Sequence, residues 1–95
     1  MPTLRAQRKV PGGKLVRVDA VCVQNAISKI RITGDFFVYP EEALASIERD
    51  LDALGLRGTE TDLEERVEST VSASGARLIG FSAEDLAEML RELKC

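Results

Sequence analysis

Lys14–Thr33, KLVRVDAVCVQNAISKIRIT, holds two runs in which apolar side chains recur at every second position. In the first run Val16, Val18, Ala20 and Cys22 share one face, and Leu15, Arg17, Asp19 and Val21 the other. A period of two belongs to a strand with one side against a core. The second run, Ala26–Thr33, alternates Ser28, Ile30 and Ile32 with Ile27, Lys29 and Arg31. Between them stands Gln24-Asn25, a two-residue spacer whose Asn tolerates the left-handed backbone of a tight turn. The spacing predicts a β-hairpin.

Working outward, Leu4–Val10 fits an edge strand or arm (residues 1–10) ahead of the turn-forming Pro11-Gly12-Gly13. After the hairpin, Gly34 suits a bulge or corner, and Asp35–Tyr39 (DFFVY) reads as a third extended piece. Past Pro40 the period changes to about 3.6. Leu44, Ile47, Leu51 and Leu54 form one stripe of a helix, with Pro40 in its first turn, Glu41-Glu42 favourable to its dipole and Gly55 as its stop. Thr61-Asp62-Leu63-Glu64 has the form of a capping box for a second helix carrying Leu63, Val67 and Val71 and ending near Gly75. Arg77–Phe81 (RLIGF) is a strand or a packed connector, and Ser82–Asp85 opens a last helix with Leu86, Met89, Leu90 and Leu93 on one side. The expected fold is α+β: an antiparallel sheet of three or four strands, then helices on one of its faces.

The length of 95 residues suits one domain spanning 1–95. Hydrophobic residues at 44% against 31% charged give a globular balance. No apolar run approaches the ~20 residues of a membrane helix, so a cytoplasmic protein without a membrane role is expected. The absence of His removes Ser-His-Asp and Cys-His chemistry and His-ligated zinc. Two Cys provide neither a disulfide scaffold nor a four-thiolate metal site. Neither a catalytic residue nor a metal ligand set is identified, and catalysis by this chain alone is not expected.

Pro11-Gly12-Gly13-Lys14 departs from a phosphate loop, because Arg8 and Leu15 stand where that motif needs Gly and Ser or Thr. Glu41-Glu42, Asp50-Asp52 and Glu64-Glu65 read as solvated helix faces. Cys22 reads as a buried, inert thiol and Cys95 as an exposed tail residue; a reducing cytosol disfavours a bond between them. Residues 1–34 carry seven positive groups against Asp19, a net +6, whereas 35–95 carry six against fifteen, a net −9. The basic first third points to an anionic partner or to a plain solvated face. Three of the four aromatics, Phe36, Phe37 and Tyr39, crowd into Gly34–Pro40. Adjacent strand residues point to opposite sides, so Phe36 and Phe37 are both buried only if each side is covered. The helices cover one side. The other is covered by a partner protein, or else one Phe packs on a loop or the N-terminal arm.

Lys9–Val18 (KVPGGKLVRV), Ile30–Pro40 (IRITGDFFVYP) and Glu41–Leu44 (EEAL), in this order and spacing, resemble the accessory domain of lipoate–protein ligases. The likeness runs from about Lys9 to the last helix with its Gly80–Asp85 opening, and is strongest in the first 45 residues. That domain is fused to the catalytic domain in some bacterial ligases and is a separate small subunit in archaea and some bacteria. The resemblance implies a fold akin to the sulfur-acceptor and iron–sulfur scaffold group. It also implies a non-catalytic subunit, required for lipoyl-adenylate formation and hence for protein lipoylation. ATP, Mg²⁺ and lipoate would sit on the catalytic subunit, the partner in a heterodimer. Lipoyl carrier domains of 2-oxoacid dehydrogenases or the glycine cleavage H protein would be reached through that partner.

The candidate partner-binding residues are Gly13 and Lys14 in the basic turn and Gly34, Asp35, Phe36, Phe37, Tyr39 and Pro40 in the aromatic segment. Two rivals come from other classes. A sulfur-transfer or iron–sulfur scaffold protein would need an exposed, low-pKa thiol. A nucleic-acid module would exploit the basic third, but no aromatic residue stands there to stack on bases, and no nucleic-acid partner is expected.

Overall fold

The computed structural model describes residues 3–10, 12, 14–55 and 59–94. Three strands, β1 (Thr3–Val10), β2 (Lys14–Val23) and β3 (Ala26–Gly34), form an antiparallel sheet in the order β1-β2-β3. Val23 pairs with Ala26 across a two-residue turn in which Gln24 and Asn25 both take positive φ, 51° and 64°. Two left-handed residues are what a type I′ hairpin turn requires, and its twist suits the flanking strands. The α+β expectation holds, with helices α1 (Glu42–Leu54), α2 (Glu60–Ser74) and α3 (Ala83–Leu90) following the sheet.

One face of the sheet is the core. Val16, Val18, Ala20, Ile30 and Ile32 pack there with Ile47 and Leu51 of α1, Leu63 and Val67 of α2, and Leu86, Met89 and Leu90 of α3. The strict alternation expected in β3 is corrected by a bulge. The register with β2 shifts between Asp19 and Val21, and Lys29 takes φ 54°. Two residues then oppose one, so the faces exchange. Ile27 opposes Cys22 and joins the core side, whereas Ser28 moves to the outer one. The third extended piece also departs from expectation. Only Phe37–Tyr39 is a strand, β4, and it pairs antiparallel with β5 (Arg77–Ile79) in a separate two-stranded sheet.

Local signals set the helix ends. Gly55 (φ 67°) and Gly75 (φ 63°) close α1 and α2 as left-handed caps. The capping box of α2 lies one half-turn earlier than Thr61–Glu64: Thr59 is the N-cap, and the Asp62 carboxylate accepts from the Thr59 amide at 2.8 Å. That bond, followed by one from the Thr59 hydroxyl, holds Asp62 below its usual carboxylate pKa. The ion is thus favoured in the folded chain, a contribution lost as pH falls through this lowered value. Thr59→Ala is expected to cost about 1 kcal/mol in urea denaturation. Ser82 and Asp85 form the same box at α3, as the sequence predicts.

Asp50 and Asp52, expected on a solvated helix face, instead join elements, as do Glu48 and Arg8. Glu48 and Asp52 of α1 lean over the outer edge of β3 and accept from the Ile32 and Ile30 amides at 2.7 and 2.8 Å. Asp50 accepts from the buried Thr70 hydroxyl of α2. Arg8, on the helix side of β1, reaches Glu88 and Glu92 at 2.7 and 2.9 Å. Asp52→Ala is expected to lower stability by about 1–2 kcal/mol by orphaning the Ile30 amide. The check is equilibrium denaturation beside Ala45→Ser, an exposed site on the same helix.

Cys22 is buried as expected, but it is disulfide-bonded and holds no free thiol. Cys95 lies outside the described residues. Among the described residues no helix is long and apolar enough to cross a membrane.

Candidate functional site

The aromatic segment is bolted to the sheet at Gly34. Its backbone has φ +149° and lies so close to β2 that a Cβ would fall 2.1 Å from the Leu15 carbonyl oxygen. The following amide, that of Asp35, donates to the same oxygen at 2.9 Å. Glycine is required here because the two backbones touch. The chain then turns off the sheet and enters β4.

Phe36 and Phe37 part company as the period of two demands. Phe36 turns inward, half-buried, and its ring lies 4.5 Å from that of Phe81 at a tilt of 54°. Phe37 turns outward and is 59% exposed. Val38 is buried, and Tyr39, again outward, is 54% exposed. The Phe37 and Tyr39 rings stack at 6.3 Å with 17° between their planes. Across the pairing, Ile79 opposes Phe37 and is itself 42% exposed, while Arg77 opposes Tyr39. Three large apolar side chains therefore form one uncovered face of the small sheet. A grouped apolar face of this kind marks an interaction surface more often than scattered apolar residues do.

The basic turn is beside it. Lys14, Gly34, Asp35, Phe36 and Phe37 line, with Gly12, one depression of about 480 Å³. Lys14 is exposed, and its stem runs over Gly80, where an added Cβ would meet the Lys14 Cγ at 3.3 Å. A second hollow of about 360 Å³ lies between Phe36, Phe37 and Tyr39 and the start of α1. Pro40 stands apart from both: it is exposed and precedes the α1 N-cap, Glu41, instead of sitting in the first helical turn as expected, and its carbonyl accepts from the Ala43 amide. Gly13 lies outside the described residues. Sequence reasoning missed Ile79 and Arg77, which pair with Phe37 and Tyr39 from far along the chain. The outward alternation of Ile79 in RLIGF was the available signal, but its pairing partner was not.

Much of the basic first third is spent inside the fold. Arg8 is held by two glutamates, Arg5 by Asp19 at 2.6 Å, and Arg17 donates to Gln7. Lys14 and Arg77 stand beside the aromatic patch. Among the described residues no group of three or more acidic or Cys side chains is assembled to hold a metal ion.

No family model and no curated protein matches the chain. A solved structure does. It is described as an archaeal lipoylation system, a bi-partite lipoate protein ligase and its E2 lipoyl domain from Thermoplasma acidophilum. The alignment has 25% identity and a TM-score of 0.65, and covers 96% of this chain and 94% of that one. In fold, and over nearly its whole length, the chain is similar to one chain of a lipoate protein ligase system.

Proposed function

We propose that the chain is the non-catalytic accessory subunit of a two-subunit lipoate–protein ligase, required for ATP-dependent conversion of lipoate to lipoyl-adenylate and so for protein lipoylation. The observation that carries this reading is the end-to-end likeness to a chain of nearly equal length in a bi-partite ligase structure. It is supported by a residue inventory without His and by a candidate site of aromatic and aliphatic side chains. ATP, Mg²⁺ and lipoate sit on the catalytic subunit. Lipoyl carrier domains meet the complex there. Phe37, Tyr39 and Ile79 dock on the catalytic subunit, and Lys14 adds electrostatic steering. A subunit that binds the active conformation more tightly shifts its population by that difference in affinity, with no bond-making of its own.

Reconstitution tests it. The catalytic subunit is assayed for lipoate-dependent exchange of pyrophosphate into ATP, with and without this chain. Exchange is expected to rise at least tenfold on addition and to saturate at one chain per catalytic subunit. Full exchange by the catalytic subunit alone, or turnover of lipoate and ATP by this chain alone, would overturn the assignment. The sulfur-transfer alternative is disfavoured by Cys22, which is buried and carries no free thiol.

A further inference from the structure

A second surface lies on the far side of the small sheet. Leu78 alternates with Arg77 and Ile79, so it faces away from the aromatic patch. There the last turns of α2, residues 75–78 and the start of α3 enclose a groove of about 780 Å³. Its floor is apolar: Val71, Ala76, Leu78 and Phe81. The apolar stripe of α2 explains the opening. Leu63 and Val67 are fully covered by the core, but Val71, one turn further, is half-exposed. The stripe is one turn longer than the core beneath it, and α3 begins too far along to close the gap.

The rim has a single sign. Glu64 and Glu68 stand four residues apart on α2, and Glu84 faces them from the first turn of α3. Like charges at this spacing weaken a helix. Among the described residues none of the three has a salt-bridge partner. The Glu64 carboxyl is pushed up from its ordinary value, chiefly by the neighbouring Glu68 carboxyl, then by desolvation and the charges of Glu68, Glu84 and Glu60. Among the described residues, then, no cation of the fold offsets the acidic rim around the apolar floor.

That pairing selects its occupant. An anionic ligand or an anionic lipid surface would be repelled by the rim. Among the described residues these glutamates are not gathered into a group that could hold a metal ion. What satisfies both features is a polypeptide segment with apolar side chains on one side and cations beside them. We propose that this groove docks a basic amphipathic segment of a partner protein. Two or three of its apolar side chains rest on Val71, Leu78 and Phe81, and its Lys or Arg side chains span Glu64, Glu68 and Glu84. The site is separate from the Phe37–Tyr39 patch and independent of the lipoate reading.

The probe is a fluorescein-labelled helical peptide of about 14 residues, or four turns. It carries Leu at i, i+3, i+4 and i+7 and Lys elsewhere, and is titrated into the full chain at about 50 mM salt by anisotropy. Two companions replace every Lys by Glu or every Leu by Ser. The Leu/Lys peptide is expected to bind at least tenfold more tightly than either companion. It should lose at least tenfold against the combined Glu64→Gln, Glu68→Gln, Glu84→Gln variant, and several-fold against Val71→Ser. The Gln variant should melt no lower than the parent, since it sheds repulsion, so unfolding does not explain its loss. Equal binding to the parent and the Gln variant, equal binding of the Leu-to-Ser companion, or no binding would overturn the proposal. So would salt-sensitive self-association abolished by the same Gln changes, since the occupant would then be a second copy of this chain.

Discussion

Gly34→Ala is expected to lower the melting temperature by roughly 15–30 °C. The new Cβ would lie 2.1 Å from the Leu15 carbonyl oxygen, 3.0 Å from its carbon and 3.1 Å from the Val16 Cα. All three are backbone atoms, so no side chain can swing aside. Either β2 and β3 separate at this end or the φ of +149° is abandoned, and the Asp35–Leu15 hydrogen bond goes with it. Strain of about 1–3 kcal/mol and overpacking of about 1–3 kcal/mol both apply. Together they remove a large part of the roughly 5–14 kcal/mol that a chain of this size commands. Gly12→Ala is the control. It also has positive φ, +99°, but nothing lies within 4 Å of its Cβ. Only the backbone term of about 1–2 kcal/mol remains there. Thermal melts by circular dichroism would separate the two, and equal shifts would show that the close approach at Gly34 is not the cause.

Combined truncation of Phe37 and Tyr39 to Ala is expected to weaken binding to the proposed catalytic partner by more than ~30-fold while leaving the melting temperature within a few degrees of the parent. Both rings are more than half exposed, so the fold loses little beyond their mutual stacking. An interface that buries them loses at least ~2 kcal/mol. Phe36→Ala should behave in the opposite way. Its ring packs on Phe81, and its removal should cost the fold about 2–3 kcal/mol. Calorimetric titration against the catalytic subunit, paired with melts of each variant, reads both quantities. Undiminished affinity in the double variant would dismiss the patch as the docking face.

The hairpin, the helices and most of the core were legible because they depend on local periodicity. Val16, Val18, Ile47, Leu51 and Leu86 are buried where the periods of two and 3.6 put them. The bulge at Lys29 was not legible. An extra residue is set by pairing with β2, and a strand read alone cannot report its partner's register. The same blindness hid β5 behind the ambiguous RLIGF and left Ile79 out of the patch. The divergence of Phe36 and Phe37 followed from pleating alone. The bonds from Glu48 and Asp52 to β3 were missed because helix carboxylates look alike in sequence, whether they meet water or a strand edge. The Thr59 box was passed over for Thr61 because two overlapping threonines offered a carboxylate three residues on.

Those two carboxylates bear on how copies of the molecule behave when crowded. A β-sheet spreads from molecule to molecule through unpaired backbone along its borders, and unlimited spread needs two such borders. Along β3 the Ile30 and Ile32 amides are already taken. Joining through the three-stranded sheet is then confined to the β1 flank, and two molecules meeting there would use up both open sides. Growth by that route ends at a closed pair instead of a fibre.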